Sequence, residues 1–263
     1  MYTWNFAPSL VFGLTFQAIA YLACIGPLRH LFPGSEPVPK KLVLAFMMGL
    51  LTFFIALVSP IDRLGDSYLL TIHMVQHILI TLVGPPLLLM GLPRWMLRPL
   101  LYLPFALPIG RFITNNIFAF IVFNVVLIGW HFPVLYDAAL QNIHIHILEH
   151  IMFIVTAMIT WLPIISPFDE LPPSPPAIQC MYLFLQSLPP TLLGAVITFS
   201  NTIIYPTYAE APRIWGLSPM LDQQLGGLVM WVPGGLIFLF ALSIIFFRWF
   251  GRDEYEMAGD GFA

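Results

Sequence analysis

The sequence predicts an all-α, polytopic membrane protein: a bundle of about seven transmembrane helices, N-terminus outside and C-terminus cytoplasmic. Three observations carry this prediction. Hydrophobic residues make up 59 % of the 263 residues and charged residues only 9 %, whereas a typical soluble domain is about 25 % charged. Mean hydropathy is +0.88. The apolar residues are also gathered into seven long runs rather than dispersed. Water is absent from a bilayer core, so the backbone must satisfy its own hydrogen bonds and each run is a helix. A transmembrane barrel would instead alternate over about ten residues per strand. At roughly 20 residues per crossing, spans and short loops account for the chain. It reads as one transmembrane helical domain, 1–263, without an extramembrane catalytic domain.

Span one, 9–28, follows Met1-Tyr2-Thr3-Trp4-Asn5, which lacks the positive leader of a cleaved signal peptide, so the span is expected to be retained. Span two, 41–59, starts behind Lys40 and Lys41. Span three, 68–91, contains Gly84-Pro85-Pro86. Each proline removes a backbone donor and clashes with the preceding turn, so a kink is expected there, as a packing feature or a hinge. The basic segment 92–113, rich in Leu, Pro and Trp, is expected along the inner interface. Span four, 114–130, leads to an interfacial turn at 136–140, held by Trp130 and Tyr136. Span five, 143–165, carries Glu149 near its start; no other charge lies deep in a span. The Pro-rich connector 166–177 leads to span six, 178–202. Span seven, 225–248, ends the bundle, and the acidic tail 251–263 is expected to be loose.

Orientation follows from the placement of Lys and Arg. With the N-terminus outside, the inner side holds Arg29, Lys40, Lys41, Arg94, Arg98, Arg111, Arg248 and Arg252, eight of the ten basic residues. Only Arg63 and Arg213 fall outside. The formal net charge is −3 and no basic stripe exists, which excludes a nucleic-acid partner. Cys24 and Cys180 fall near inner span ends, in the reducing compartment, where a disulfide is not expected.

The histidines carry the functional signal. Of seven, six fall on the outer side: His73 and His77 in span three, His131 at the end of span four, and His144, His146 and His150 in span five. His30 alone falls inside, as a solvated loop residue. His73/His77 and His146/His150 are i, i+4 pairs, so each pair shares a helix face. Two such pairs on neighbouring helices, expected to be antiparallel, can aim four imidazoles at one centre, with His131 as a fifth candidate ligand. Ionisable groups inside a bilayer are functional by default. Glu149 shares a face with His146 and suits a ligand or an acceptor that fixes a tautomer. Imidazole is compatible with copper, zinc, iron and nickel, and thioethers such as Met74 and Met230 favour cuprous copper, though both methionines also read as packing. His144 points to another side of its helix, as a loop group or an entry ligand. Asp66 and Asp222 read either as helix N-caps or as metal-capture groups. Gly226, Gly227 and Met230 share a face that permits close helix approach.

At this point a family pattern emerges. Ser59-Pro60-Ile61-Asp62, Ser67, His73-Met74-Val75-Gln76-His77, Gly84-Pro85-Pro86 and Gly91-Leu92-Pro93 resemble the CtaG-type cytochrome c oxidase assembly factors, which are heptahelical bacterial membrane proteins. Trp130-His131-Phe132-Pro133, Tyr136, Ala138-Ala139-Leu140, His146, Glu149-His150, Trp161-Leu162-Pro163, Asp222, Gly226-Gly227 and Met230-Trp231 continue the pattern, which covers about residues 40–250. The resemblance implies a multi-pass protein of the bacterial inner membrane that is not an enzyme. It implies copper, as Cu(I), bound at the outer histidines and supplied to the binuclear centre of oxidase subunit I. Subunit I is then the partner, with a periplasmic copper donor upstream and a homo-oligomer as a candidate assembly.

Three other readings stand beside it. A membrane di-metal oxygenase also uses i, i+4 histidine pairs, but usually displays eight or more histidines, some adjacent, on the cytosolic face. A bis-His haem protein would carry electrons between facing histidines. A transporter would show repeats or paired broken helices, and none is evident.

Overall fold

The structure is a computed structural model that describes residues 2–260, with side chains described through Gly251. Every regular element among the described residues is helical. Among the described residues, six helices are long and apolar enough to cross a membrane, and seven if one bent pair counts as a span.

The first crossing is α1 (Pro8–Ile25) and the second is α2 (Lys40–Leu57). Tyr21 is the one buried residue of α1. Its ring stacks on Phe46 of α2 with centroids 3.9 Å apart, and its hydroxyl donates to the Gly91 carbonyl at 2.9 Å. Most other side chains of α1 are apolar and exposed or only partly buried, as lipid contact allows. A short helix, α3 (Pro60–Ser67), follows in what the sequence left as loop. Its start has a clear local cause: Ser59 accepts the Ile61 N–H at 3.3 Å and Pro60 occupies the first helical position.

The third crossing, Leu70–Gly91, is the axis of the bundle: most of its residues are buried, whereas α1 buries only Tyr21. It consists of α4 (Leu70–Ile78), a π turn (Leu79–Val83) and α5 (Gly84–Gly91). The prolines predicted to kink this span explain the turn. Pro85 has no N–H for the Thr81 carbonyl, and the Gly84 N–H bonds one residue further back, to Leu79. The Trp161 indole N–H takes the freed Thr81 carbonyl at 3.1 Å.

The segment after α5 ends in α6 (Ala106–Ile113), which lies at 69° to α7 (Asn116–Trp130). Asn115 caps α7 by accepting the Ile117 and Phe118 amides. At 1.5 Å per residue α7 is about 22 Å long, short for a crossing of roughly 30 Å. The expected interfacial turn is a two-turn helix, α8 (Pro133–Gln141). It is followed by α9 (Ile143–Trp161), which ends four residues before the predicted limit, and α10 (Pro176–Phe199).

A one-turn helix, α11 (Pro206–Glu210), precedes α12 (Pro219–Asp260). α12 begins six residues earlier than span seven was predicted to and continues to Asp260, through most of the segment expected to be a loose tail; the rest of that tail, 261–263, lies outside the described residues. α10 and α12 pack with their backbones close: a Cβ on Gly194 would stand 2.8 Å from the Gly227 carbonyl oxygen. The neighbouring Gly226 does not share that face, contrary to the expectation from sequence, because consecutive residues of a helix point about 100° apart; a Cβ there would meet Leu70 of α4 at 2.8 Å. These two glycines therefore let α12 touch the axis and α10 at once.

Candidate metal centre

α4 starts in the protein interior, where its first amides have no partner within the helix. Its N-cap residue, Leu69, offers no side-chain acceptor. Asp222 of α12 supplies one. Its Oδ2 accepts the Leu70 N–H at 2.9 Å, and its Oδ1 accepts the Thr71 N–H at 3.1 Å and the Thr71 hydroxyl at 2.7 Å. Of its two sequence readings, Asp222 thus takes the capping one, for a helix other than its own.

One turn further along α4 come His73 and His77. His73 is 0 % exposed and His77 6 %. α3 presses against this turn: a Cβ on Gly65 would lie 3.0 Å from the His73 Cα. That approach brings Asp66 Oδ1 to 3.5 Å from His73 Nδ1 and 3.4 Å from His146 Nε2. Burial raises the Asp66 carboxyl to about 6, even though His146 draws it down. α3 is fastened in turn by Gln76, whose amide donates to Asp62 at 2.9 Å and to the Ala56 carbonyl at 3.0 Å. Asp62 also accepts from the Asn5 side chain at 2.8 Å.

α9 brings His146, Glu149 and His150, all buried. Ring centroids lie 5.9 Å apart for His73/His146 and 5.8 Å for His77/His150. The first member of each pair faces the first, and the second faces the second. α4 and α9 therefore run parallel, which corrects the antiparallel expectation; two spans separated by a single crossing must share a direction. Glu149 Oε1 lies 3.9 Å from His77 Nε2.

His131 caps the end of α7, its Nδ1 2.7 Å from the Leu127 carbonyl. A carbonyl only accepts, so Nδ1 carries the proton and Nε2 keeps its lone pair in the neutral ring. The His131 and His77 centroids are 6.0 Å apart.

Three tyrosines missed by the sequence reading, or read there only as an interfacial anchor, wall this assembly. The Tyr136 ring lies 5.4 Å from that of His73, Tyr205 donates to the His131 carbonyl at 3.1 Å, and Tyr208 donates to the Gly65 carbonyl at 2.8 Å. Tyr205 caps and Tyr208 lies within the one-turn helix α11, which is too short to show a periodicity that would flag them.

The remaining candidates lie apart. His144 is exposed on the first turn of α9. His30 is exposed, with Nδ1 2.9 Å from the Pro27 carbonyl. Met74 and Met230 are buried but border a separate cavity, together with His77 and His131.

The donor set suits a metal ion. Both ring nitrogens of His73 and of His77, Nε2 of His131, His146 and His150, and both Glu149 oxygens are buried with no hydrogen-bond partner among the described residues. Each such atom costs about 1–3 kcal/mol when left unpaired, and one coordinated cation would engage several at once. Two groups come close enough to ligate: His73 with His146 and His150, and His73 with His77 and Glu149, each with its ligand atoms within 4.8 Å of one another. Neutral imidazoles with a carboxylate suit copper, zinc or iron.

The family model for the cytochrome c oxidase caa3 assembly factor matches residues 19–252. No curated protein and no solved structure gives a match to this chain.

Proposed function

The chain belongs to the cytochrome c oxidase caa3 assembly factor family, and from that premise we propose that it binds copper at the histidine cluster of α4 and α9 and supplies it to the binuclear centre of oxidase subunit I. The observation that carries the proposal is the convergence of unpartnered, buried imidazole nitrogens with Glu149 and Asp66. His73, His77, His146 and His150 are the principal ligands and His131 the fifth. The ion is cargo, so it must enter and leave; a carboxylate at the rim of the cluster and ligands drawn from three spans favour exchange over permanent retention.

In this reading the N-terminus is outside, the chain sits in the bacterial inner membrane, and the cluster opens to the outer side. A polar cavity of about 320 Å³ supports that direction of entry. It is bordered by Trp4, Asn5, Asp62, Arg63, Asp66 and Ser67, and Asp66 links it to His73 and His146. A periplasmic donor would present copper at this mouth. The subunit I centre is reached from the same side of the membrane, which makes transfer short.

Complementation tests the proposal. A strain whose only copy carries H73A/H77A should insert the protein normally and yet fail to mature its oxidase. Normal oxidase activity in that strain would overturn the ligand assignment.

A further inference from the structure

A second cavity, of about 40 Å³, lies where four helices meet. Its wall includes Met74 and His77 of α4, Leu127 and His131 of α7, Pro190 of α10 and Met230 of α12. On α4 the wall residues follow a helical row, and those of α7 and α12 recur every four residues. The cavity is therefore built from whole helix faces and is not a gap left by one side chain. Its wall otherwise consists mainly of apolar side chains, and no carboxylate borders it.

The chemistry of this wall differs from that of the cluster beside it. The cluster combines imidazole with the carboxylates Glu149 and Asp66. The cavity combines imidazole with two thioethers. His131 turns a lone-pair nitrogen, Nε2, into a setting where no protein group meets it, because its Nδ1–H is committed to Leu127. His77, with both nitrogens unpartnered, belongs to this wall and to the His73–Glu149 group alike. An ion about 2.0 Å from two imidazole nitrogens holds their ring centroids about 5 Å apart at a tetrahedral angle and about 6 Å apart when the angle is nearly linear; the His77 and His131 centroids, 6.0 Å apart, stand at the wide end of that range.

We propose that this cavity is a second, soft metal site, specific for a monovalent cuprous ion, with His77, His131, Met74 and Met230 as ligands. Thioether and neutral imidazole select Cu(I) over harder divalent ions. The cost of placing an ion in an apolar cavity rises with the square of its charge, so a monocation with neutral ligands is tolerated where a dication is not. His77 stands between the two sites and passes the ion from one to the other. The inference rests on the copper reading above for its source of ions, and adds a place for copper that contains sulfur and no carboxylate. The π turn supports it: Thr81 and Leu82 of that turn border the cavity, and π turns recur at functional positions in helices.

The test uses the full-length protein in detergent, titrated anaerobically with cuprous ion against a competing chelator and measured by copper K-edge X-ray absorption. Wild type should bind a copper with sulfur in its shell. M74L/M230L, a volume-conserving exchange, should keep its melting temperature, lose about one equivalent of copper, and lose the sulfur signal. H146A/H150A, altered only in the cluster, should keep the sulfur-ligated ion. Copper with nitrogen and oxygen ligands alone in wild type, or a sulfur signal that survives in M74L/M230L, would overturn the second site and leave the cluster standing. Failure of wild type to bind any cuprous ion would overturn both.

Discussion

Asp222 and Leu70 are 152 positions apart, and the carboxylate of the first accepts the backbone N–H of the second at 2.9 Å. Asp222 is 0 % exposed. The cap of α4 is thus borrowed from α12, and the turn that carries His73 is anchored across the bundle. Asp222→Ala would strand two interior amides, at a cost of about 2–4 kcal/mol. A thermal melt should show a drop of several degrees, and copper retention should weaken with it. An unchanged melting temperature would mean that other groups satisfy those amides.

The contact between α10 and α12 makes a second prediction. A Cβ on Gly227 would lie 2.5 Å from the Thr198 hydroxyl and 2.7 Å from the Gly194 carbonyl oxygen. Gly227→Ala should therefore cost about 2–3 kcal/mol by overpacking, seen as lower yield and a lower melting temperature. Gly251→Ala, where no described atom lies within 4 Å of the added Cβ, should cause no loss by the same assay, since alanine also favours the helix.

The pH dependence of stability has a definite sign at Asp62. Burial, with the charge of Asp66 added to it, raises this carboxyl from 3.8 to about 6, against the lowering effect of hydrogen bonds from Asn5 and Gln76. A carboxyl whose pKa is higher in the folded state favours the fold while protonated. Its contribution is complete below about pH 4 and is lost as pH rises to about 6. Two pH units correspond to about 2–3 kcal/mol. Asp62→Asn should flatten the fall in melting temperature across that window, as read by melts at pH 4, 5, 6 and 7. An equal fall in both proteins would assign the dependence elsewhere.

Topology provides a fourth prediction. A reporter fused after Ala263 should read as cytoplasmic. A periplasmic reading would turn the molecule over and place the histidines on the inner side.

Much of this was written locally in the chain. Each of the seven apolar runs falls on a helix among the described residues, with most ends within a few residues, because span length and lipid contact depend on composition; six of these helices are long enough to cross alone, and α7 only when joined to α6. The pairs His73/His77 and His146/His150 were legible because a four-residue spacing fixes a shared face. Pro85 announced the break in span three, although not its form: the π turn depends on Trp161, distant in sequence, taking the freed carbonyl. The role of Asp222 was illegible for the same kind of reason, since a cap normally serves its own helix. The parallel register of α4 and α9 follows from counting crossings, and the helix α3 from Ser59-Pro60. The wall of tyrosines from α8 and α11 follows from neither, because only tertiary packing places those short helices over the cluster.

The most direct test of the copper assignment is the metal content and visible spectrum of the detergent-purified protein, measured beside H73A/H77A after copper loading. The cluster of α4 and α9 predicts about one or two coppers per chain, no Soret band, and loss of cluster-bound copper in the variant. Equal copper in both proteins, or iron with a Soret band in the wild type, would contradict it.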